Sequence, residues 1–322
     1  RLEKSGCSHA VVEVSSQLLA KHALAGVTCD TIAVTNLGSA HLDLHGTTSA
    51  YHSVKSRILQ AASSDGALVA NSDDPRSQRL VERYRTECSG RVFTAGLKHT
   101  ATVSATAVER SLAGQTLLLH CDGVVMPVSL DVPITSSARN SVLAAAIAMR
   151  YRVPAEKIAR GLESIRSVAG RITRCDRGQD FTVFVDRPSS GHSLASTLSS
   201  LRRLSKGRLL VLVEEDLARQ LGGERRFVSR ASRWSNKTLV VPRGIASEKA
   251  SDGDLRAYAR LDRELSRLHA GDCVLVLGSV PQVGSGPFDP ENDFMPLETV
   301  VNGWLELAHE PVAGWGGDRR AA

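Results

Sequence analysis

The feature that most constrains this fold is the repeated alternation of short apolar runs with stretches of helical periodicity. Residues 31–37, 67–70 and 91–97 are predicted to be buried strands, and residues 9–14 a shorter one. Residues 48–62 repeat apolar side chains at helical spacing, with Thr47 or Thr48 as the cap, and Pro75 opens another helix. Strands that alternate with helices form a mostly parallel sheet covered by helices.

The pattern changes twice further along the chain. Residues 101–133 alternate polar and apolar side chains, which predicts a small antiparallel section followed by helices over 137–151 and 154–165. Near Gly170 the alternation restarts, with strands predicted over 172–175, 181–186, 208–213, 237–241 and 273–278 and helices over 192–204 and 254–269. We therefore expect an α/β protein with a central domain (1–168), an open α/β domain (169–310) and a flexible tail (311–322).

Composition excludes several classes of protein. The net charge of +6 is spread over 322 residues, and the 6 Phe, 4 Tyr and 3 Trp are few for stacking on single-stranded nucleic acid, so a nucleic-acid partner is disfavoured. None of the six cysteines lies in a Cys-x-x-Cys pair, which argues against a zinc ribbon and suits a reducing compartment. No apolar run reaches the ~20 residues of a membrane helix, and no signal peptide is evident. We expect a soluble, cytoplasmic protein without membrane insertion.

Chemistry-bearing residues follow the predicted strands of the central domain. Glu13 ends the first strand, His41 follows the second, and Lys55 lies on the next helix. Because the carboxyl ends of parallel strands meet at one sheet edge, we expect these three groups to converge there. Carboxylate and imidazole ligands suit Mg²⁺ or Mn²⁺ acting in phosphate chemistry.

Plainer interpretations of the same residues stay open. Glu13 alone would more often cap a helix, and Lys55 would more often extend along the protein surface into solvent. The His-x-Asp-x-His spacing of His41, Asp43 and His45 fits a hydrogen-bonded turn or a hydrolase metal site.

Taken in order, the motifs resemble the Mur ligase family, most closely its MurE-type branch, which adds the third amino acid to UDP-N-acetylmuramoyl-dipeptide. The resemblance covers about residues 9–213. It rests on EVSS, TNL, HLDLHG, Tyr-x-x-x-Lys, NSDDP, Asn140 before an Ala-rich helix, Gly170-Arg171 and GQDFTVFVD ending at Asp186. It implies a central domain of the P-loop ATPase type and a Rossmann-like C-terminal domain.

The resemblance also implies the reaction and its cofactors. An ATP-dependent ligase of peptidoglycan precursor synthesis would transfer the γ-phosphoryl group of ATP to the carboxylate of a UDP-N-acetylmuramoyl peptide. The incoming amino acid would then attack the acyl phosphate, with ATP and Mg²⁺ as the bound groups.

The roles of individual residues follow from the same resemblance. Glu13 would hold one Mg²⁺, and His41 and a carbamoylated Lys55 would hold a second. Ser15 would contact the muramoyl substrate. The nucleotide would be bound by Asn140, Arg171 and Asp186.

The sequence departs from the family pattern in two ways. The Gly-rich phosphate loop that ends in Gly-Lys-Thr or Gly-Lys-Ser does not occur in these residues, and the resemblance would place it before Arg1. The acceptor motifs of the C-terminal domain are replaced, for example by Glu214-Glu215-Asp216-Leu217 and Ser279-Val280-Pro281-Gln282. Two interpretations therefore compete: a ligase with an altered acceptor amine, or a catalytically impaired binding or scaffold protein. A basic nucleic-acid binder is a third, supported by charge alone.

Overall fold

The computed structural model describes residues 6–38, 45–97, 101–168, 170–242, 244–245, 252–278, 294–295 and 297–309. The chain divides into two compact units. The first contains most of the chain up to residue 164, and the second contains residues 109–115, 130–136 and the chain from 165 onward. None of the described helices is both long and apolar enough to cross a membrane.

The first unit is built on a six-stranded sheet whose strands follow one another in chain order. β1 (Cys29–Val34), β2 (Ala62–Asn71), β3 (Arg91–Gly96) and β4 (Val103–Ser111) pair in parallel. β5 (Gly114–Cys121) and β6 (Val124–Leu130) follow after two-residue turns, which only antiparallel neighbours allow. The predicted change from parallel to antiparallel pairing is therefore confirmed.

Helices cover this sheet. They are α1 (Ser16–Ala20), α2 (Thr48–Ser56) with a 3₁₀ turn over Arg57–Ala61, α3 (Pro75–Glu87), α4 (Thr135–Arg150) and α5 (Ala155–Glu163). Pro75 opens α3 as predicted, with Asp74 as its N-cap. Ile32, Leu68, Leu80 and Tyr84 meet in the core between the sheet and its helices.

The second unit contains a five-stranded sheet made of β7 (Thr173–Cys175), β8 (Thr182–Asp186), β9 (Leu209–Glu214), β10 (Lys237–Val241) and β12 (Cys273–Leu277). The strands lie in the order β10-β9-β12-β8-β7. All pair in parallel except β7, which is antiparallel to β8. A separate two-stranded ribbon is formed by β11 (Gly244–Ile245) and β13 (Phe294–Met295).

Both faces of the five-stranded sheet are buried. Val211 and Leu275 belong to the core on one face, and Leu212 and Val276 to the core on the other. The helices are α6 (Gly191–Leu204), α7 (Glu215–Gln220), α8 (Glu224–Ala231), α9 (Asp252–Leu265) and α10 (Leu297–His309). A parallel sheet buried on both faces is the open α/β architecture expected from the sequence.

The prediction of a strand over residues 9–14 was wrong. These residues have no regular secondary structure, Val11 is 100% exposed and Val12 is 66% exposed. β-Branched residues favour a strand only where a neighbouring strand pairs with them and covers one face. No described strand does so here.

Candidate functional site

Lys55 lies at the carboxyl edge of the first sheet. Thr47 caps α2 by accepting a hydrogen bond from the Ala50 amide at 3.1 Å, as one of the predicted caps would. One turn before Lys55, Tyr51 is buried, and the Lys55 Nζ lies 5.2 Å from the centre of its ring. Nζ donates to the Asn36 carbonyl at 3.0 Å, just beyond the end of β1. The helix thus delivers the amino group to the strand end.

The loop after β1 is held from several sides. The His52 Nε2 donates to the Leu37 carbonyl at 2.7 Å, and the Leu37 amide donates to Asp74 Oδ2 at 2.6 Å. The Asn71 side chain donates to the Thr35 carbonyl at 2.8 Å. This segment is therefore fixed by polar side chains from α2 and from the end of β2.

The NSDDP motif ties together three consecutive strands. Asn71 bonds the end of β1, and Asp74 both caps α3 and holds Leu37. Asp73, with a side chain only 6% exposed, accepts the Leu97 amide at 3.1 Å and the Arg139 Nε at 3.1 Å. Sequence reasoning used this motif only as a family signature, although an Asp directly before a helix-starting Pro is an N-cap signal.

Glu13 and Ser15 lie just before the short helix α1. Ser15, not Glu13, is the N-cap, because its Oγ accepts the Leu18 amide at 3.2 Å. The capping interpretation of Glu13 is therefore wrong; its side chain is exposed in the segment before the helix. His45, the last member of the His-x-Asp-x-His motif, lies 3.0 Å from the Ser16 Oγ.

His41 and Asp43 lie outside the described residues, so the convergence of Glu13, His41 and Lys55 stays a prediction. Within the described part of the chain, no three His, Cys, Asp or Glu side chains form a group that could hold a metal ion. Mg²⁺ does not require such a cage, because proteins commonly bind it through one or two carboxylates together with substrate phosphates. An exposed Glu13 carboxylate fits that mode of binding.

Asn140 lies on the first half of α4, within the helix predicted over residues 137–151. Its side chain is exposed. The preceding residue, Arg139, binds Asp73, so the beginning of this helix is fixed to the end of β2.

In the second unit, Asp186 ends β8 and is buried, with 7% exposure. Burial raises the pKa of this carboxyl to about 6, although the Arg187 amide, the charge of Arg171 and the Thr197 hydroxyl all act to lower the pKa. The Arg187 amide donates to Oδ1 at 2.9 Å and Thr197 to Oδ2 at 3.4 Å. Arg171 is exposed and follows Gly170, whose φ of +70° suits glycine.

Glu214 is a buried carboxylate that sequence reasoning did not single out as a site residue. It ends β9, is 1% exposed, and accepts the Leu297 amide at 2.8 Å. Gly278 follows the intervening strand β12, and a Cβ there would lie 3.3 Å from the Glu214 Oε1. Because β12 pairs with both β8 and β9, two buried carboxylates flank its end. Acidic residues at the carboxyl ends of parallel strands mark the usual ligand edge of open α/β sheets.

Comparisons with known proteins agree with this architecture. A model of the Mur ligase middle domain matches residues 1–148. UDP-N-acetylmuramoyl-L-alanyl-D-glutamate--2,6-diaminopimelate ligase of Chlorobium phaeobacteroides is 32% identical over 347 residues, covering 98% of this chain and 66% of that protein. The ligase of the same name from Bacillus licheniformis is 31% identical over 338 residues, covering 95% of this chain and 66% of that protein.

Solved structures give the same fold. A UDP-N-acetylmuramoyl-L-alanyl-D-glutamate--2,6-diaminopimelate ligase superposes with a TM-score of 0.60 at 22% identity over 85% of this chain and 60% of the other. The MurF ligase of Thermotoga maritima in complex with ADP superposes with a TM-score of 0.59 at 17% identity over 80% of this chain and 60% of the other. The chain spans at most 66% of the length of these curated relatives, and 51% of the one from Halalkalibacterium halodurans.

Proposed function

The chain belongs to the Mur ligase family. We propose that the protein acts as an ATP-dependent ligase, which joins an amino acid to a UDP-N-acetylmuramoyl peptide in peptidoglycan precursor synthesis. One observation in the structure carries this proposal: the Lys55 amino group is held 3.0 Å from the Asn36 carbonyl at the carboxyl edge of the first sheet. Ligands of open α/β sheets bind at this edge.

The first unit would supply the metal-binding and substrate-binding side chains. Glu13 would hold one Mg²⁺, and His41 with carbamoylated Lys55 would hold another, since carbamoylation replaces a cation by an anionic oxygen ligand. When bound, Mg²⁺ would neutralise charge on the ATP phosphates and on the transferring phosphoryl group. The Ser15 Oγ already accepts the Leu18 amide, and its hydroxyl proton is available to a substrate oxygen.

The proposed reaction has two steps. The substrate carboxylate attacks the γ-phosphorus of ATP, forming a C(=O)O–P bond while ADP leaves with the electrons of the broken P–O bond. The amino group of the incoming amino acid then attacks the acyl carbon, loses a proton to solvent or a base, and expels phosphate. The chain's own contribution is positioning and charge neutralisation.

Three side chains would bind the nucleotide. We propose that Asn140 contacts the base and that Arg171 and Asp186 bind the phosphates and the ribose. Each Asp186 oxygen accepts one hydrogen bond from the protein, and each has a further lone pair for a ribose hydroxyl. At neutral pH, above its pKa of about 6, the carboxylate is mostly ionised and acts as an acceptor.

A cytoplasmic location fits the thiol content. All six cysteines are free, which is typical of proteins in a reducing compartment. Substrates built on UDP and ATP would be met in the same compartment.

Phosphate release tests the proposal. The purified chain is assayed with Mg-ATP, UDP-N-acetylmuramoyl-dipeptide and a panel of amino acids, beside Lys55→Ala and the exposed-helix control Arg79→Ala. We expect release that requires both the muramoyl substrate and one amine, reduced about 10²-fold in Lys55→Ala and unchanged in Arg79→Ala. A peak for a carbamate carbon in ¹³C NMR with labelled bicarbonate, absent in Lys55→Ala, would report the modification directly.

One observation favours the second candidate, a binding or scaffold protein without ligase activity. At the end of β9, Glu214 stands where the family pattern has an acceptor motif, and this carboxylate is buried and bonded to the Leu297 amide. Calorimetric binding of UDP-N-acetylmuramoyl-dipeptide without phosphate release from any amine would support this candidate. Absence of both binding and release would contradict both candidates.

A further inference from the structure

A groove on the second unit contains an unusual concentration of arginine. It has a volume of about 460 Å³ and lies along α8 and the turn that follows it, with Ala195 of α6 on its wall. We call it the arginine groove, and its other lining residues are Arg225, Arg226, Ser229, Arg230, Arg233 and Trp234. None of them belongs to the site proposed above.

The charge of the arginine groove is not compensated within the described residues. All four arginines are exposed, and no described carboxylate lies within ion-pair distance of any of them. The acidic residue of α8, Glu224, instead faces Arg219 at 3.8 Å. Like charges one helical turn apart, such as Arg226 and Arg230, destabilise a helix. An anion bound between them would relieve that repulsion.

The walls of the arginine groove are built from packed residues. Trp234 packs against the hydrophobic core on one face of the five-stranded sheet. The guanidinium of Arg230 lies so close to α6 that a Cβ at Gly191 would come within 2.6 Å of its Nη1. One wall is therefore a fixed indole, and one arginine is held against a neighbouring helix rather than extended into solvent.

The length of the arginine groove favours a small anion over a nucleic-acid strand. Arg226 and Arg230 are four residues apart on α8, about 6 Å along its axis, and Arg233 follows in the next turn. Single-stranded nucleic acid needs a longer track, since such sites span at least about four nucleotides. The groove is open to solvent, so a ligand there would be held by its charge and not by enclosure. Guanidinium groups bind phosphate through two parallel hydrogen bonds, which makes arginine well suited to phosphate oxygens.

We propose that the arginine groove binds a small molecule that carries two or three linked phosphates. Its phosphates pair with Arg226, Arg230 and the flanking arginines, and Trp234 provides an apolar wall. The inference is independent of the ligase proposal, because it uses no residue of that site.

Titration calorimetry with inorganic tripolyphosphate, without metal, tests the groove. The double variant Arg226→Glu/Arg230→Glu is compared with Arg256→Glu/Arg260→Glu, which makes the same charge change at exposed positions of α9. We expect binding weakened at least about tenfold in the groove variant and by less than about twofold in the control. Equal loss in both variants, or in neither, would overturn the proposal.

Further measurements test whether each variant is folded and which kind of phosphate compound the groove prefers. Circular dichroism verifies that each variant is folded, and Arg226→Lys/Arg230→Lys keeps the charge while removing the planar fork, so it is expected to bind more weakly than the wild type. Metal-free ATP is compared with tripolyphosphate to learn whether a nucleoside adds affinity. A single-stranded oligonucleotide or a polyglutamate peptide that binds the groove more tightly than both phosphate compounds would overturn the proposal.

Discussion

At the scale of single residues, several side chains have their properties set by what buries them. Asp186 is the clearest case, since its carboxyl lies at a strand end with little contact with water. Its two hydrogen bonds and the charge of Arg171 offset only part of the cost of removing a carboxylate from water. The raised pKa therefore makes the folded protein bind a proton more tightly here than the unfolded chain does.

The first prediction concerns the pH dependence that follows from Asp186. Its pKa rises from 3.8 to about 6 on folding, so its contribution to stability is complete below pH 4 and is lost as the pH rises through 6. Relative to Asp186→Asn, the free energy of unfolding of the wild type should fall by about 2 kcal/mol between pH 4 and pH 7. Urea unfolding at several pH values measures this difference. The exposed control Asp180→Asn should leave the pH profile unchanged, and a parallel profile for Asp186→Asn would contradict the assignment.

The second prediction concerns Gly96, at the end of β3. A Cβ there would lie 2.7 Å from the Asp73 Oδ1 and would overlap Ser72 Oγ. Gly96→Ala should therefore displace Asp73 from Arg139 and lower the free energy of unfolding by about 1–3 kcal/mol. Gly161→Ala is the matched control: nothing lies within 4 Å of the added methyl group in α5, so it should stabilise by about 0.5–1 kcal/mol. Chemical denaturation of both variants separates the two cases, and equal effects would contradict the crowding at Gly96.

At the scale of elements, hydrogen bonds between neighbouring elements matter as much as the periodicity within them. Asp74 shows this because one carboxylate serves two elements. Its Oδ1 accepts the Arg76 amide at 3.1 Å at the start of α3, and its Oδ2 accepts the Leu37 amide at 2.6 Å beyond β1. The start of a helix and the end of a strand are thereby joined.

We predict that Asp74→Ala destabilises the first unit by about 1–2 kcal/mol through loss of the cap. It should also speed hydrogen exchange at the Leu37 amide, because that proton loses its acceptor. Thr47→Ala removes a cap of similar strength from α2 without touching Leu37. Exchange measured by mass spectrometry or NMR should therefore change at Leu37 only in the Asp74 variant, and equal protection in both variants would refute the double role.

The same scale explains how much of the fold the sequence could predict. β10 was predicted with its observed bounds, because three of its five residues are β-branched and two of the five are buried. The prediction of a strand over residues 9–14 was wrong because the apolar pattern of a segment does not show whether another strand pairs with it. The sequence analysis did not predict helix α8. Only Phe227 and Ala231 are buried on this helix, and two buried residues among several arginines do not give a recognisable helical repeat of apolar side chains.

Prediction of the candidate site had a similar limit. The position of Lys55 on a helix, one turn after Tyr51, follows from local spacing and was correctly anticipated. The partners that hold it, such as the Asn36 carbonyl, are main-chain groups that any residue could provide. Burial of Glu214 against Leu297 joins positions 83 residues apart, and a single sequence carries no local signal for such a contact.

At the scale of the whole molecule, the exposure of the cysteine thiols differs from the surface to the interior of each unit. Cys7 is exposed, whereas Cys121 and Cys273 are buried, one in each unit. Burial raises the pKa of Cys121 and raises that of Cys273 to about 12, where Ser205 and Arg202 oppose the effect only in part. Because the thiolate is the reactive form, burial suppresses reaction both by blocking access and by keeping the thiol protonated.

We therefore predict that a thiol reagent modifies Cys7 first and Cys273 last in the native protein. Raising the pH from 7 to about 9 should leave native Cys273 unreactive, because burial keeps its thiol protonated in the fold. Modification followed by peptide mass spectrometry measures each site. In urea, Cys121 and Cys273 should become reactive only where the unit that contains each of them unfolds, which turns the two residues into separate probes of stability. Reaction of native Cys273 at the rate of Cys7 would show that the strand β12 opens without unfolding, contrary to its place at the centre of the five-stranded sheet.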